Sequence, residues 1–121
     1  MKLVIEPADL AEITQTLVTR ALNSGSVFRT ALDAGLTVFA YPSDQELLIG
    51  IGVQRDRLDA YTIENVLSRR FASPQRYACW LPALFADGGF YIMQRRRRDD
   101  MAGTPTPSTE EIGDALALLT A

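Results

Sequence analysis

Residues 36–53 carry the clearest alternation of apolar and polar positions in the chain. Two apolar runs, 36–41 and 47–53, are separated by Pro42, Ser43, Asp44 and Gln45. Val, Ile, Phe, Tyr and Thr dominate the runs and turn residues make the break, which predicts a β-hairpin or meander step. In the second run Leu47, Ile49, Ile51 and Val53 share one face at period two, and Leu48, Gly50, Gly52 and Gln54 share the other. The first face predicts a core surface. The second is nearly bare at its glycines and lets another element approach the backbone closely.

On the N-terminal side, Leu10, Ile13, Leu17 and Ala21 recur at three- and four-residue steps, flanked by Val18 and Leu22, which predicts an amphipathic helix. Asp9 and Glu12 have capping-box spacing, Pro7 suits a first turn, and Asn23, Ser24, Gly25 and Ser26 end the helix. The stripe is wide enough for Val18 and Leu22 to face something besides the core. Residues 27–32 alternate as a strand, with Asp33, Ala34 and Gly35 as the turn that follows; a short helix over the same stretch is the alternative.

On the C-terminal side, residues 56–71 predict a second helix. Asp56 and Asp59 stand at its start, Arg69 and Arg70 at its end, and Ile63, Val66, Leu67 and Phe71 form its inner stripe. Leu58 and Tyr61 lie to one side of that stripe. Residues 77–85 form an apolar strand whose Pro82 belongs on a sheet edge or at a bulge. Asp87, Gly88 and Gly89 then turn the chain into a strand over 90–94 that runs on into Arg95, Arg96, Arg97 and Arg98. Residues 101–107 read as a linker, and Ser108 to Glu111 as a capping box opening a last helix with Ile112, Leu116 and Leu119 on one side. The pattern gives one α+β domain over 1–121, with residues 1–6 as an N-terminal arm. Its order is helix-βββ-helix-ββ-helix, an antiparallel sheet covered by helices.

Composition narrows the chemistry. The 121 residues contain no histidine, which removes His-ligated zinc, Ser-His-Asp and Cys-His machinery. Cys79 is the single cysteine, set in an apolar run and expected to be a buried, inert thiol. A net charge of −3 argues against nucleic acid as a partner. The apolar run after Met1 is too short for a signal peptide and no segment is long enough to span a bilayer, so the expectation is a cytoplasmic protein with no membrane partner. Gly50 and Gly52 begin like a dinucleotide loop, but Arg55 replaces the third glycine and the run lies within a strand. No catalytic, metal-binding or cofactor-binding residue is assigned. The arginine run has two readings: a patch for phosphate or an acidic partner, or a solvated strand end that discourages aggregation. Leu58, Tyr61 and Trp80 give more apolar surface than one small core needs, and they are the candidate interface of a homodimer.

A small acidic chain in this element order resembles the class I type III secretion chaperones of Gram-negative bacteria. The resemblance covers nearly the whole chain and rests on the hairpin of 36–53, the middle helix of 56–71, residues 83–93 around Asp87, Gly88 and Gly89, and the closing helix of 110–119. It implies a homodimer through the middle helix and neighbouring strand. It also implies a nucleotide-independent role, holding the N-terminal segment of a secreted effector extended around the dimer. On that analogy Val18, Leu22, Phe28 and Tyr41 are the candidate partner-binding residues. Two other readings stay open: a regulator of the same fold that sequesters a pathway protein or transcriptional activator, and a small ligand-binding or enzymatic α+β domain.

Overall fold

A β-strand flanked on both sides by partners is the middle of this molecule. The computed structural model describes residues 5–32, 35–54, 60–97 and 106–120. Within them the elements are α1 (Pro7–Ser24), β1 (Phe28–Ala31), β2 (Leu36–Pro42), β3 (Glu46–Val53), α2 (Ala60–Ala72), β4 (Leu81–Leu84), β5 (Phe90–Arg97) and α3 (Thr109–Thr120). The strands form one antiparallel sheet in the order β1-β2-β3-β5-β4. This is the α+β fold that the sequence pattern predicts, with helices packed on the sheet, and the ambiguous segment after α1 is a strand.

The sheet has two faces of different character. Register places Leu36, Val38 and Ala40 of β2 opposite Val53, Ile51 and Ile49 of β3, which in turn oppose Phe90, Ile92 and Gln94 of β5. This inner face is covered by α1 and α3. Leu10, Leu17, Val18 and Ala21 of α1 and Ile112, Ala115, Leu116, Leu118 and Leu119 of α3 join it in one buried cluster. Trp80 completes the cluster, fully buried, and its indole N–H donates to the Glu111 carbonyl at 3.0 Å. The buried polar end of the ring is thereby satisfied.

The other face holds the two glycines. A Cβ on Gly50 would collide with the ring of Phe39, its partner on β2, and one on Gly52 with the ring of Tyr91, its partner on β5. Phe39, Phe85 and Tyr91 form a trio with centroids 4.5–5.6 Å apart. The glycines are bare because neighbouring rings fold over them, so the close approach expected on this face comes from within the sheet.

Several local expectations change. The first turn of α1 begins after Glu6, which makes no side-chain cap, with Pro7 in the first turn. The capping-box pair Asp9 and Glu12 therefore lies inside the helix. Its far end matches expectation: Gly25 takes φ 69° and donates its N–H to the Ala21 carbonyl. In α2, Val66 is buried, but Leu67 is 47% and Phe71 88% exposed, so the predicted inner stripe is only partly inner. Arg69 and Arg70 stand in the last turn of α2 as expected, and they also reach across the fold, Arg69 to the Leu118 carbonyl at the end of α3 and Arg70 to the Trp80 carbonyl. Residues 77–79 form turns and the strand begins only at Leu81, and Cys79 is exposed rather than buried. Partial desolvation still raises the pKa of its thiol. The capping box at α3 is formed reciprocally, Ser108 N–H to Glu111 Oε1 at 2.9 Å and Glu111 N–H to Ser108 Oγ at 3.1 Å.

Replacing Gly50 with Val should destabilise the protein by about 1–3 kcal/mol, because the Phe39 ring must leave a buried position. Thermal or urea unfolding checks this. A melting temperature equal to or above wild type would show that the ring is free to move.

Candidate functional site

The two edges of the sheet differ in chemistry. Leu32 N–H donates to the Leu36 carbonyl, so by the alternation of antiparallel pairing Phe28 and Thr30 also direct their backbone groups at β2. Arg29 and Ala31 direct theirs outward, to an edge on which no described strand pairs. On the opposite edge Phe85 N–H pairs with the Gly89 carbonyl. Leu81 and Ala83 therefore face β5, and Pro82 and Leu84 face outward. Pro82 has no N–H to offer. The β4 edge is blunted at its middle and the β1 edge is not.

Beside the open edge lies a groove of about 330 Å³ between α1 and β1. Ile13 and Leu17 supply its apolar side, Thr16 and Thr30 hydroxyls, and Asp9, Glu12 and Arg20 charge at its margins. α1 lies over β1 and β2, so its outboard flank and the first strand make the two walls. The Thr16 hydroxyl donates to the Glu12 carbonyl at 3.1 Å within the helix, leaving its oxygen lone pairs toward solvent. An elongated, part-apolar groove next to an unpaired strand edge can hold an extended chain by backbone pairing and side-chain burial together.

The structure distributes the sequence-predicted residues differently. Val18 is fully buried in the core and cannot face a partner, because its position on α1 points to the sheet. Leu22 and Phe28 are half-buried against the same core. Tyr41 is 46% exposed, but it lies on the face of the sheet opposite α1. None of the four lines the groove, although α1 and β1 are the elements that form it. Its lining includes Ile13, Thr16, Arg20 and Thr30, three of which read in the sequence as ordinary polar helix or strand surface. Of the candidate dimer residues, Trp80 is in the core, where its indole is bonded to α3. Leu58 and the Tyr61 side chain lie outside the described residues.

A second apolar area lies near the blunted edge. Leu67 and Phe71 project from α2 with Glu64 and Ser68 at three- and four-residue steps, all exposed. The Arg70 bond to Trp80 holds the end of this helix beside the start of β4, whose Leu84 is also exposed.

The arginine run does not form one patch. Strand alternation sends Arg96 to the inner face, where it bonds Gln94 Oε1 at 2.7 Å and Glu111 Oε1 at 3.2 Å. Arg95 and Arg97 point to the other face, and Arg95 makes a two-pronged pair with Glu46. Arg98 lies outside the described residues. Among the described residues no group of His, Cys, Asp or Glu could hold a metal ion, and no helix is long and apolar enough to cross a membrane. No family model, curated protein or solved structure matches the chain.

Placement of the groove is checked by a pair of variants. Val18→Asp should lose at least ~3 kcal/mol of stability, since it buries a carboxylate without a partner. Thr16→Asp, on the groove wall, should melt within a few degrees of wild type. Similar melting of the two variants would contradict this assignment of core and groove.

Proposed function

We propose that this protein is a chaperone-like binder of an extended polypeptide segment, of the kind its element order resembles in type III secretion. The segment lies along the groove between α1 and β1 and adds to the free edge of β1. The observation that carries the reading is the pairing of that groove with the one sheet edge whose middle retains its backbone donors. The outward N–H and carbonyl groups of Arg29 and Ala31 supply sequence-independent affinity. Ile13 and Leu17 select apolar side chains at alternate positions of the segment. Such binding needs no nucleotide and no chemistry, and it suits a cytoplasmic bacterial protein that keeps an effector unfolded before secretion.

The exposed α2 stripe, with Leu84 of β4, is the surface through which two copies associate. Phe71 at 88% exposure and Leu67 at 47% are costly to leave in water, and exposed apolar side chains of this size favour an interface. Pro82 at the adjoining edge directs this association toward side-chain packing rather than a continuous sheet. Light scattering during size exclusion should report twice the chain mass at micromolar concentration for wild type and the single chain mass for Phe71→Asp. A monomeric wild type would remove the dimer.

The binding reading is tested by capture from a lysate of the source bacterium at rising salt, with bound protein and nucleic acid both identified. Ala31→Pro removes one outward N–H while leaving the bonds to β2 intact, and edge strands tolerate proline. Wild type should retain a protein whose N-terminal region becomes protease-protected, with little loss as salt rises, and Ala31→Pro should lose it. Recovery of nucleic acid alone, lost steeply with salt, would overturn the reading. So would equal capture by the proline variant. A captured transcriptional activator, in place of a secreted protein, would assign the same surface to regulation.

A further inference from the structure

The face of the sheet turned away from α1 and α3 carries no described helix. None of its side chains joins the buried cluster that unites the inner face with the helices. Register defines what it presents. One row across the strands runs Arg29, Phe39, Gly50, Met93, Leu81, and the next runs Tyr41, Leu48, Arg95. Tyr41 and Leu81 are 46% and 42% exposed, and Leu48 and Met93 are half-buried. At the far end Phe85 and Tyr91 close over Gly52, and Gln54 bonds the Thr37 hydroxyl. Among the described residues the open part is thus an apolar strip at the end where the arginines lie.

Charge on this face opposes that of the chain. Its described strand residues include Arg29 and Arg95 beside Glu46, in a protein of net charge −3. Arg95 and Glu46 are paired in water, with more than half of the arginine side chain exposed, so an incoming carboxylate exchanges with Glu46 at little cost.

We propose that this open face docks an acidic amphipathic helix of a partner protein, at a site separate from the groove and independent of how the groove is used. The apolar stripe of the helix covers Tyr41, Leu48, Met93 and Leu81, and its flanking carboxylates meet Arg29 and Arg95. Three physical points select this occupant. The middle of a sheet face offers no free backbone groups, so an extended segment would leave its own N–H and carbonyl groups unsatisfied there, whereas a helix satisfies them internally. A second copy would bring two arginine-bearing faces together. Single-stranded nucleic acid needs exposed rings to stack on, and Phe39 and Tyr91 are buried, so that among the described residues of this face Tyr41 is the exposed ring.

The test uses the intact protein and fluorescence anisotropy with four labelled probes. Three are helical peptides of about 18 residues: a leucine stripe flanked by glutamates, the same stripe flanked by lysines, and the glutamate composition with its leucines scattered. The fourth is an oligouridylate. The glutamate-stripe peptide should bind at least about tenfold tighter than each of the others, a preference opposite to the one net charge alone dictates. Arg29→Glu and Met93→Glu should each weaken it by about tenfold, with Tyr41→Ala as a smaller, fold-preserving check on the same strip. The peptide comparison needs only wild type, so it stands whether or not the variants fold. Tighter binding of the lysine peptide or the oligouridylate, equal binding of the scattered peptide, or no binding of the glutamate-stripe peptide up to about 100 μM would each overturn the proposal.

Discussion

Everything in this fold leans on a strand whose central stretch carries side chains on one side only. β3 pairs with β2 along one edge and β5 along the other, and its Leu47, Ile49, Ile51 and Val53 point to the helices. On the reverse, Gly50 and Gly52 leave room that Phe39 and Tyr91 fill from the flanking strands. Two glycines in a central strand are costly, since each lowers strand stability and offers nothing to bury. The ring trio offsets that by covering bare backbone with aromatic surface. It also closes one end of the outer face, so that among the described residues the sheet and its helices form two layers.

Two-layer construction decides where the protein can meet others. α1 and α3 occupy the inner face, and the polar link from Arg96 through Gln94 to Glu111 ties β5 to the start of α3. Arg69, bonded to the Leu118 carbonyl, does the same for α2 at the other end of α3. With the helices fixed in this way, three surfaces stay uncovered among the described residues: the β1 edge with its groove, the α2 stripe near β4, and the outer face. Each has a distinct chemistry. Backbone donors characterise the first, apolar side chains the second, and an apolar strip bordered by arginines the third. In the proposed account they serve an extended segment, a second copy and an acidic helix respectively.

Much of the fold was legible because its signals are local. The alternation in 36–53, the Gly25 stop and the Ser108–Glu111 box each depend on neighbours within a few residues, and the structure places each of them as read. What failed depended on direction. Ile63, Val66, Leu67 and Phe71 are all compatible with one broad stripe, and periodicity cannot say which flank of it meets a partner element. Val18 likewise sits at the margin of the α1 stripe, and only the placement of α1 across β1 and β2 turns it inward. The lining of the groove is not legible in the sequence because Thr16, Arg20 and Thr30 carry no pattern distinguishing a binding wall from solvated surface. Splitting of the arginines between faces follows from continuing β5 at period two through residue 97, once the strand is known to extend that far.

Addition of a polypeptide to the β1 edge is the claim on which the functional account rests, and amide hydrogen exchange measures it directly. The protein free, and the complex captured from its own lysate, are compared residue by residue. The account predicts that the outward amides of Arg29 and Ala31 exchange quickly in the free protein and slow by about tenfold or more in the complex, along with the groove flank of α1, while β4 is unchanged. Unaltered exchange at Arg29 and Ala31 in a saturated complex, with protection arising elsewhere, would contradict it.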